Sequence, residues 1–315
     1  MDVLIIDMEW HNTWGIGTSK EKKDQFGEPV GWTGYSWNRN LFPDPDRFLK
    51  WTEKMELKTA LNLHPASGIA PFEDCYNRFA KAYNFDTTGR AYIPFRIEEK
   101  KWAQTYFNEV LHPLEKSGID FWWLDWQQWL ENKGVKGLSN TWWLNYTFFT
   151  DMERRSEKRP MLFHRWGGMG NHRYQIGFSG DAASTWETLN YETYFTATAS
   201  NVCYGYWSHD IGGHMGNDKD PELYLRWLQF GAYSPVLRTH CTKGGATERR
   251  FWKYPEHFEM MRDAVNTRYR MEPYIYQNAR KAYDEGISIC RPMYYEYPET
   301  ENAYTFKNQY FFGMT

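Results

Sequence analysis

Several things are scarce in this 315-residue sequence, and each scarcity removes a class of function. The four cysteines, Cys75, Cys203, Cys241 and Cys290, are widely spaced and form no CxxC and no Cys/His cluster, so neither a zinc site nor a disulfide framework is legible in them. Net charge is only −3, from 37 Lys and Arg against 40 Asp and Glu, and no long basic run occurs. A phosphate backbone would have little to hold, so nucleic acid is not an expected partner. No apolar run reaches the roughly 18 residues that a membrane span needs. The start, Met1-Asp2-Val3-Leu4-Ile5-Ile6, reads as a buried strand rather than a signal peptide. Gly167-Gly168-Met169-Gly170 lacks both the GxGxxG spacing and the Lys-Ser/Thr of phosphate loops. No internal repeat, low-complexity stretch or linker stands out, and compartment and oligomeric state stay open.

Aromatic residues, by contrast, are abundant: 19% of the chain, with 17 Trp and 23 Tyr, more than a core alone needs. A flat apolar face with a polar edge suits Trp and Tyr to stacking on the C–H faces of sugars, and protein interfaces use the same chemistry.

Short apolar runs alternate with amphipathic stretches. Strands are expected over 3–6, 59–63, 119–124, 161–164, 175–179, 203–208 and 287–294. Helices are expected from the opening Pro43-Asp44-Pro45-Asp46 through Met55, after Pro71 to about Tyr83, and over 98–116, 141–155, 185–199, 221–232 and 256–283. Alternating βα units imply a parallel sheet, and seven strand candidates point to an α/β chain of the (β/α)8 TIM-barrel type. One strand is missing from the count, and because Val3 already lies in a strand, the missing one is expected before Met1. Residues 1–315 then read as one barrel, incomplete at its N-terminus, with the strand-like end Phe311-Phe312-Gly313-Met314-Thr315 entering a following β domain.

In such a barrel the active site is built by the residues just after each strand. Those are Asp7 after the first run, His64 after the second, Asp125-Trp126-Gln127-Gln128 after the third, His164-Arg165-Trp166 after the fourth, Gly180-Asp181 after the fifth, and Ser208-His209-Asp210 after the sixth. A lone Asp is most often a helix cap or a turn residue. Asp125, however, stands between Phe121-Trp122-Trp123-Leu124 and Trp126, where an ionised carboxylate is costly without a task or a partner. Asp181 could cap a helix or oppose Asp125 across the barrel mouth. Two carboxylates about 5–5.5 Å apart give retaining glycoside hydrolysis, and a gap of about 6.5–9.5 Å gives inversion. His64 and Gln127 flank this pocket, each able to donate and accept; they select the sugar or support neighbouring side chains. The histidines form no HExxH or HxH pair, so no metal is expected and sugar-hydroxyl bonding is preferred.

These strand-end motifs resemble glycoside hydrolase family 31, mostly retaining exo-α-glycosidases on a (β/α)8 barrel, over nearly the whole chain. Trp123-Leu124-Asp125 is similar to that family's nucleophile motif, Gly180-Asp181 with Trp186 to its acid/base motif, and His209-Asp210-Ile211-Gly212-Gly213 to its HDIGG segment. The resemblance implies Asp125 as nucleophile and Asp181 as acid/base, with Arg165 and His240 holding the sugar, and Asp7, Trp123, Phe178 and Asp210 among the substrate-binding residues. It implies an oligosaccharide or glycoside substrate and no cofactor. Departures lie around the substrate. Trp126-Gln127-Gln128 stands where the family's α-glucosidases place Met-Asn-Glu, His64-Pro65-Ala66 where they place Asp-Pro-Gly, and His214 where they usually place Phe. They put an α-glucoside in doubt and leave α-galactoside, α-N-acetylgalactosaminide and α-xyloside open. A transglycosylase shares the covalent intermediate. A carbohydrate-binding, inactive barrel is the non-enzyme rival, against which the retained pair of aspartates speaks.

Overall fold

A computed structural model describes residues 1–12, 23, 25, 31–125, 129–165, 168–216, 220–243 and 247–314. They fall into two compact units, Met1–Gly167 and Gly168–Thr315.

In the first unit, four parallel strands alternate with helices: β1 (Val3–Ile6), α1 (Pro45–Lys54), β2 (Lys58–Leu63), α2 (Tyr76–Tyr83), α3 (Lys100–Tyr106), α4 (His112–Lys116), β3 (Phe121–Leu124), α5 (Asn140–Arg155) and β4 (Leu162–Arg165). The chain starts α1 with Asp44, whose carboxylate accepts from the Arg47 amide at 3.0 Å, and with Pro45, whose missing N–H costs nothing in a first turn. Ser139 caps α5 in the same way through the Trp142 amide. Register is set by the pairs Leu4↔Thr59, Leu61↔Trp122 and Trp122↔Leu162. The central strands β2 and β3 are buried almost throughout, as sheets covered on both faces are, whereas all four residues of β1, which pairs with β2, are half-buried. Much of the aromatic content is core rather than sugar platform. Trp10, Trp102, Trp122 and Trp123 are wholly buried, and Trp102 packs Phe79 on its edge and Tyr106 on its face.

The second unit contains β5 (Ile176–Phe178), α6 (Trp186–Thr198), β6 (Trp207–Ser208), α7 (Pro221–Ala232), α8 (Phe258–Arg270), α9 (Glu272–Glu285), β7 (Cys290–Pro292), α10 (Asn302–Thr305) and β8 (Tyr310–Phe312). β5 and β6 are parallel, and a core of Ile211, Tyr224, Trp227, Leu228 and Met261 binds α7 to α8. Among the described residues no helix is long and apolar enough to cross a membrane.

Several expected elements are corrected. The helix expected over 98–116 is interrupted by a π turn, Phe107–Leu111, just ahead of Pro113, which has no N–H for a regular ladder. The helix expected over 256–283 is two, divided at Met271, because Pro273 cannot continue the first. The strand expected over 203–208 shrinks to Trp207–Ser208: Cys203 is left-handed, and the Tyr204 amide turns back to the Ala199 carbonyl at 3.0 Å. The strand over 287–294 becomes β7, which pairs antiparallel with β8 and adds nothing to a parallel sheet. No strand is expected over 238–240 from the sequence, yet Thr239 forms a parallel bridge with Ile211.

One buried acid in the first unit holds a loop that supports the site. Glu73 accepts from the Tyr35 amide at 3.1 Å and the Ser36 hydroxyl at 2.6 Å, which fastens residues 31–38 beside the end of β2. There the Thr33 hydroxyl donates to the His64 carbonyl. Burial pushes the Glu73 carboxyl up to about 8 against those two hydrogen bonds. A raised folded value means that its contribution is complete below about pH 4 and is lost as pH rises through about 8. Glu73→Gln, which keeps the acceptor, should therefore gain on the native protein with pH, by at most about 1.4 kcal/mol per unit between about pH 5 and about pH 8. Urea denaturation at several pH values checks this; parallel curves for the two proteins would show that Glu73 is ionised in the fold.

Candidate active site

The parallel ladders end level, and that decides which side chains meet. Leu63 pairs with Leu124, and Leu124 with His164, so the next residues along, His64, Asp125 and Arg165, are brought side by side. The Asp125 amide donates to the Leu63 carbonyl at 3.1 Å. Alternation along the strands puts Asn62, Trp123 and Phe163 in the layer beneath, where the two aromatic rings lie 5.8 Å apart. Trp123 is thus a buried floor for Asp125.

Asp125 is 9% exposed and held from two sides: Arg165 Nε donates to Oδ1, and His64 Nε2 stands 3.3 Å from Oδ2. Burial alone would raise its carboxyl. His64 and then Arg165 outweigh burial and hold it well below the usual carboxylate range, so it stays charged at any ordinary pH. His64 is itself enclosed, edge-on to Trp32 at 5.4 Å, so its imidazole is committed to Asp125, and support of a neighbour is the role this contact gives it. Asp7 accepts from the Met8 amide at 2.7 Å and starts a short turn, the ordinary capping role of an Asp. Gln127 lies outside the described residues.

In the second unit Asp181 follows β5 with its side chain 41% exposed, and His214 Nε2 lies 3.9 Å from its Oδ1. The other ring nitrogen of His214, Nδ1, is 3.1 Å from Oδ2 of Asp210, which is wholly buried. Arg238 donates to the remaining oxygen of Asp210 and lies over the Phe178 ring at 5.4 Å. Burial would raise the Asp210 carboxyl, but Arg238 and then the two histidines hold it down and charged. Asp210 and Phe178 therefore support the site from below. His240 is half-buried, its ring 5.0 Å from that of His214. Burial pushes His209 down to about 3; its Nδ1 accepts from Trp227 Nε1 at 3.0 Å, which fixes the neutral tautomer with the proton on Nε2.

Arg238 is not singled out by the sequence, and His214 stands out there only as a departure around the substrate. The signals were there: His214 is four residues after Asp210, and Arg238 is two before His240, on the same side of an extended segment. Asp210, His214 and His240 also bring ligand atoms within 4.8 Å of one another, as a metal site would. Arg238 already neutralises the acidic member and sets a fixed positive charge beside it, which disfavours a cation there.

A parallel βα sheet with ionisable side chains gathered at its strand ends is the plan of a barrel enzyme domain. Residues 1–278 match the TIM-barrel domain of glycosyl hydrolases family 31, and the chain belongs to that family of glycoside hydrolases. It is 26% identical over 339 residues to an α-xylosidase of Saccharolobus solfataricus, a match that spans 99% of this chain and 43% of that protein. An α-xylosidase of Emericella nidulans is 27% identical over 305 residues, 90% of this chain and 38% of its own. The chain thus spans less than half the length of these curated relatives. A Flavobacterium johnsoniae family 31 dextranase solved with glucose shares the fold, with a TM-score of 0.76 at 22% identity, over 99% of this chain and 41% of that one.

Arg165→Met would leave Asp125 buried without its guanidinium partner. Breaking a buried pair from one side costs about 3–5 kcal/mol at neutral pH. Because the folded carboxyl lies below its unfolded value, the stabilisation is complete above about pH 4 and is lost as pH falls through the folded value. The gap between native protein and variant in chemical denaturation should therefore narrow below about pH 4; a gap that stays constant there would assign the loss to packing.

Proposed function

We propose that this chain is the catalytic barrel of a retaining exo-α-glycosidase, with Asp125 as nucleophile and Asp181 as acid/base. The observation that carries the reading is the row His64, Asp125, Arg165, which keeps one carboxylate ionised and aimed at a strand end. A nucleophilic carboxylate needs that charge. In the proposed mechanism Asp125 attacks the anomeric carbon while Asp181 protonates the leaving oxygen. Water deprotonated by Asp181 then releases the sugar from Asp125, with α configuration retained. Arg165 and His240 are proposed as sugar-holding residues, with Asp7 and Gln127 as further substrate contacts.

For the sugar we propose one other than glucose, an α-galactoside or α-N-acetylgalactosaminide. Support comes from Gln127, a polar group at a position where the resembled α-glucosidases carry a different residue. A second reading, an α-xyloside, is favoured by the two relatives named α-xylosidases. Transfer to an acceptor sugar shares the same intermediate, and a Sporosarcina globispora isomaltosyltransferase is among the relatives, 27% identical over 258 residues.

The test uses the full-length protein with p-nitrophenyl α-glucoside, α-xyloside, α-galactoside and α-N-acetylgalactosaminide. Preferential turnover of the third or fourth is expected, and an α-glucoside turned over at least as well as the rest would overturn the specificity. Proton NMR of the first-formed product should show the α anomer. Asp125→Ala should abolish turnover, and Asp181→Ala should lose about 10²–10⁴-fold on poor leaving groups, with recovery in azide. A β first product would sink the retaining mechanism.

A further inference from the structure

In the second unit one imidazole stands between two carboxylates. The loop after β5 and the loop after β6 are joined by their backbones: the His214 amide donates to the Ala182 carbonyl at 2.8 Å, and the Ser184 amide to the Met215 carbonyl at 2.7 Å. The Ser184 hydroxyl and Arg249 both donate to the Gly212 carbonyl. Gly213 has φ +81°, and a Cβ there would sit 2.4 Å from Ser184 Cα, so the two loops close only over glycine. From the other side the Thr242 amide donates to the His214 carbonyl at 3.0 Å. His214 is therefore fixed at both ends of its peptide, and its ring has little choice of direction. Nδ1 meets Asp210 and Nε2 faces Asp181.

We propose that His214 is a positioning residue for Asp181: anchored through Nδ1 on buried Asp210, it presents Nε2 to the Asp181 carboxyl, aims that carboxyl, and shares with it the one proton that acid/base catalysis moves. This rests on Asp181 being the acid/base. Arg238 keeps Asp210 an anion, and an anion only accepts, so the Nδ1 proton of His214 stays on that side. The remaining proton of the pair lies on Asp181, facing a neutral ring, or on Nε2, facing a carboxylate. In the first step it passes from Asp181 to the glycosidic oxygen, which leaves as an alcohol, and the ring stays neutral. In the second, the proton lost by the attacking water returns to Asp181.

The charged and titratable groups around this pair among the described residues include Asp210 and Arg238, His240 against the ring of His214, Arg249 on the Gly212 and Gly213 carbonyls, and Glu192 of α6 and Cys241, which both couple to Asp210. On this proposal the alkaline limb of kcat/KM reports loss of the shared proton.

His214→Phe and His214→Asn separate this from simple support. Asn keeps a donor toward Asp210 but has no atom in the place of Nε2. Both variants should move the alkaline limb to lower pH. Both should also lose at least about 10-fold more activity on phenyl than on 2,4-dinitrophenyl α-glycosides of the best panel sugar, since a poor leaving group depends on the proton. Loss by an equal factor on both leaving groups, or an Asn variant that behaves as native, overturns the proposal. A substrate-free check follows the ¹⁵N-labelled His214 ring by NMR in the full-length protein. Asp181→Asn should lower its titration midpoint by about half a unit or more, and an unmoved midpoint means that the two groups are not coupled. Asp181→Ala keeps the inference apart from the reading beneath it. If that variant shows neither leaving-group dependence nor azide recovery, the acid/base assignment fails; if it shows both and His214→Phe does not show the first, only the inference about His214 fails.

Discussion

Neighbouring parallel strands whose last rungs coincide must set their following residues in a row, and the candidate nucleophile depends on that constraint. Leu63, Leu124 and His164 end level, so His64, Asp125 and Arg165 have nowhere to be but beside one another. Desolvating Asp125 is expensive, and only a cation with further hydrogen bonds offsets it. Once the row exists its members need each other: remove the guanidinium and a buried anion is left, remove the carboxylate and a buried cation is. The layer below, Asn62, Trp123 and Phe163, and the loop fastened by Glu73 keep the row in place rather than act on a substrate.

The second unit meets a similar demand with a shorter sheet. β5 and β6 share only two rungs, Gly177↔Trp207 and Phe178↔Ser208, too few to align the loops that follow. Alignment there comes from backbone hydrogen bonds between the loops and from Arg249, which gathers the Gly212 and Gly213 carbonyls. Glycine is required because the two backbones approach more closely than a Cβ permits. Buried Asp210 then serves as an electrostatic anchor, with Arg238 on one oxygen and His214 on the other.

Sequence reasoning reached the strand ends because their chemistry is concentrated there: an apolar run, then an ionisable residue, repeated from Val3 to Asp210. Asp125 stood out through its aromatic flanks, and the same flanks misled, since Trp122 and Trp123 are core. Strand ends set by propensity overran wherever the backbone turned back early, as at Cys203. Prolines inside long amphipathic stretches, Pro113 and Pro273, marked interruptions that periodicity alone ran through. Arg238 and the contacts of His214 stayed hidden because they depend on loop closure and on the bridge between Ile211 and Thr239, and neither leaves a repeating pattern in the sequence.

The surroundings of the two aspartates differ in the sense that a two-carboxylate mechanism requires. A nucleophile should carry its charge when it attacks, and Asp125 is enclosed, with a permanently charged guanidinium on one oxygen. An acid/base has to change charge twice per turnover, and a permanent cation against it would forbid one of its two states. Asp181 has a half-open setting, and His214 of its own unit faces it with an imidazole, which can exist in either charge state. The proposed roles therefore rest on what each carboxylate is placed against, more than on where the two fall in the sequence.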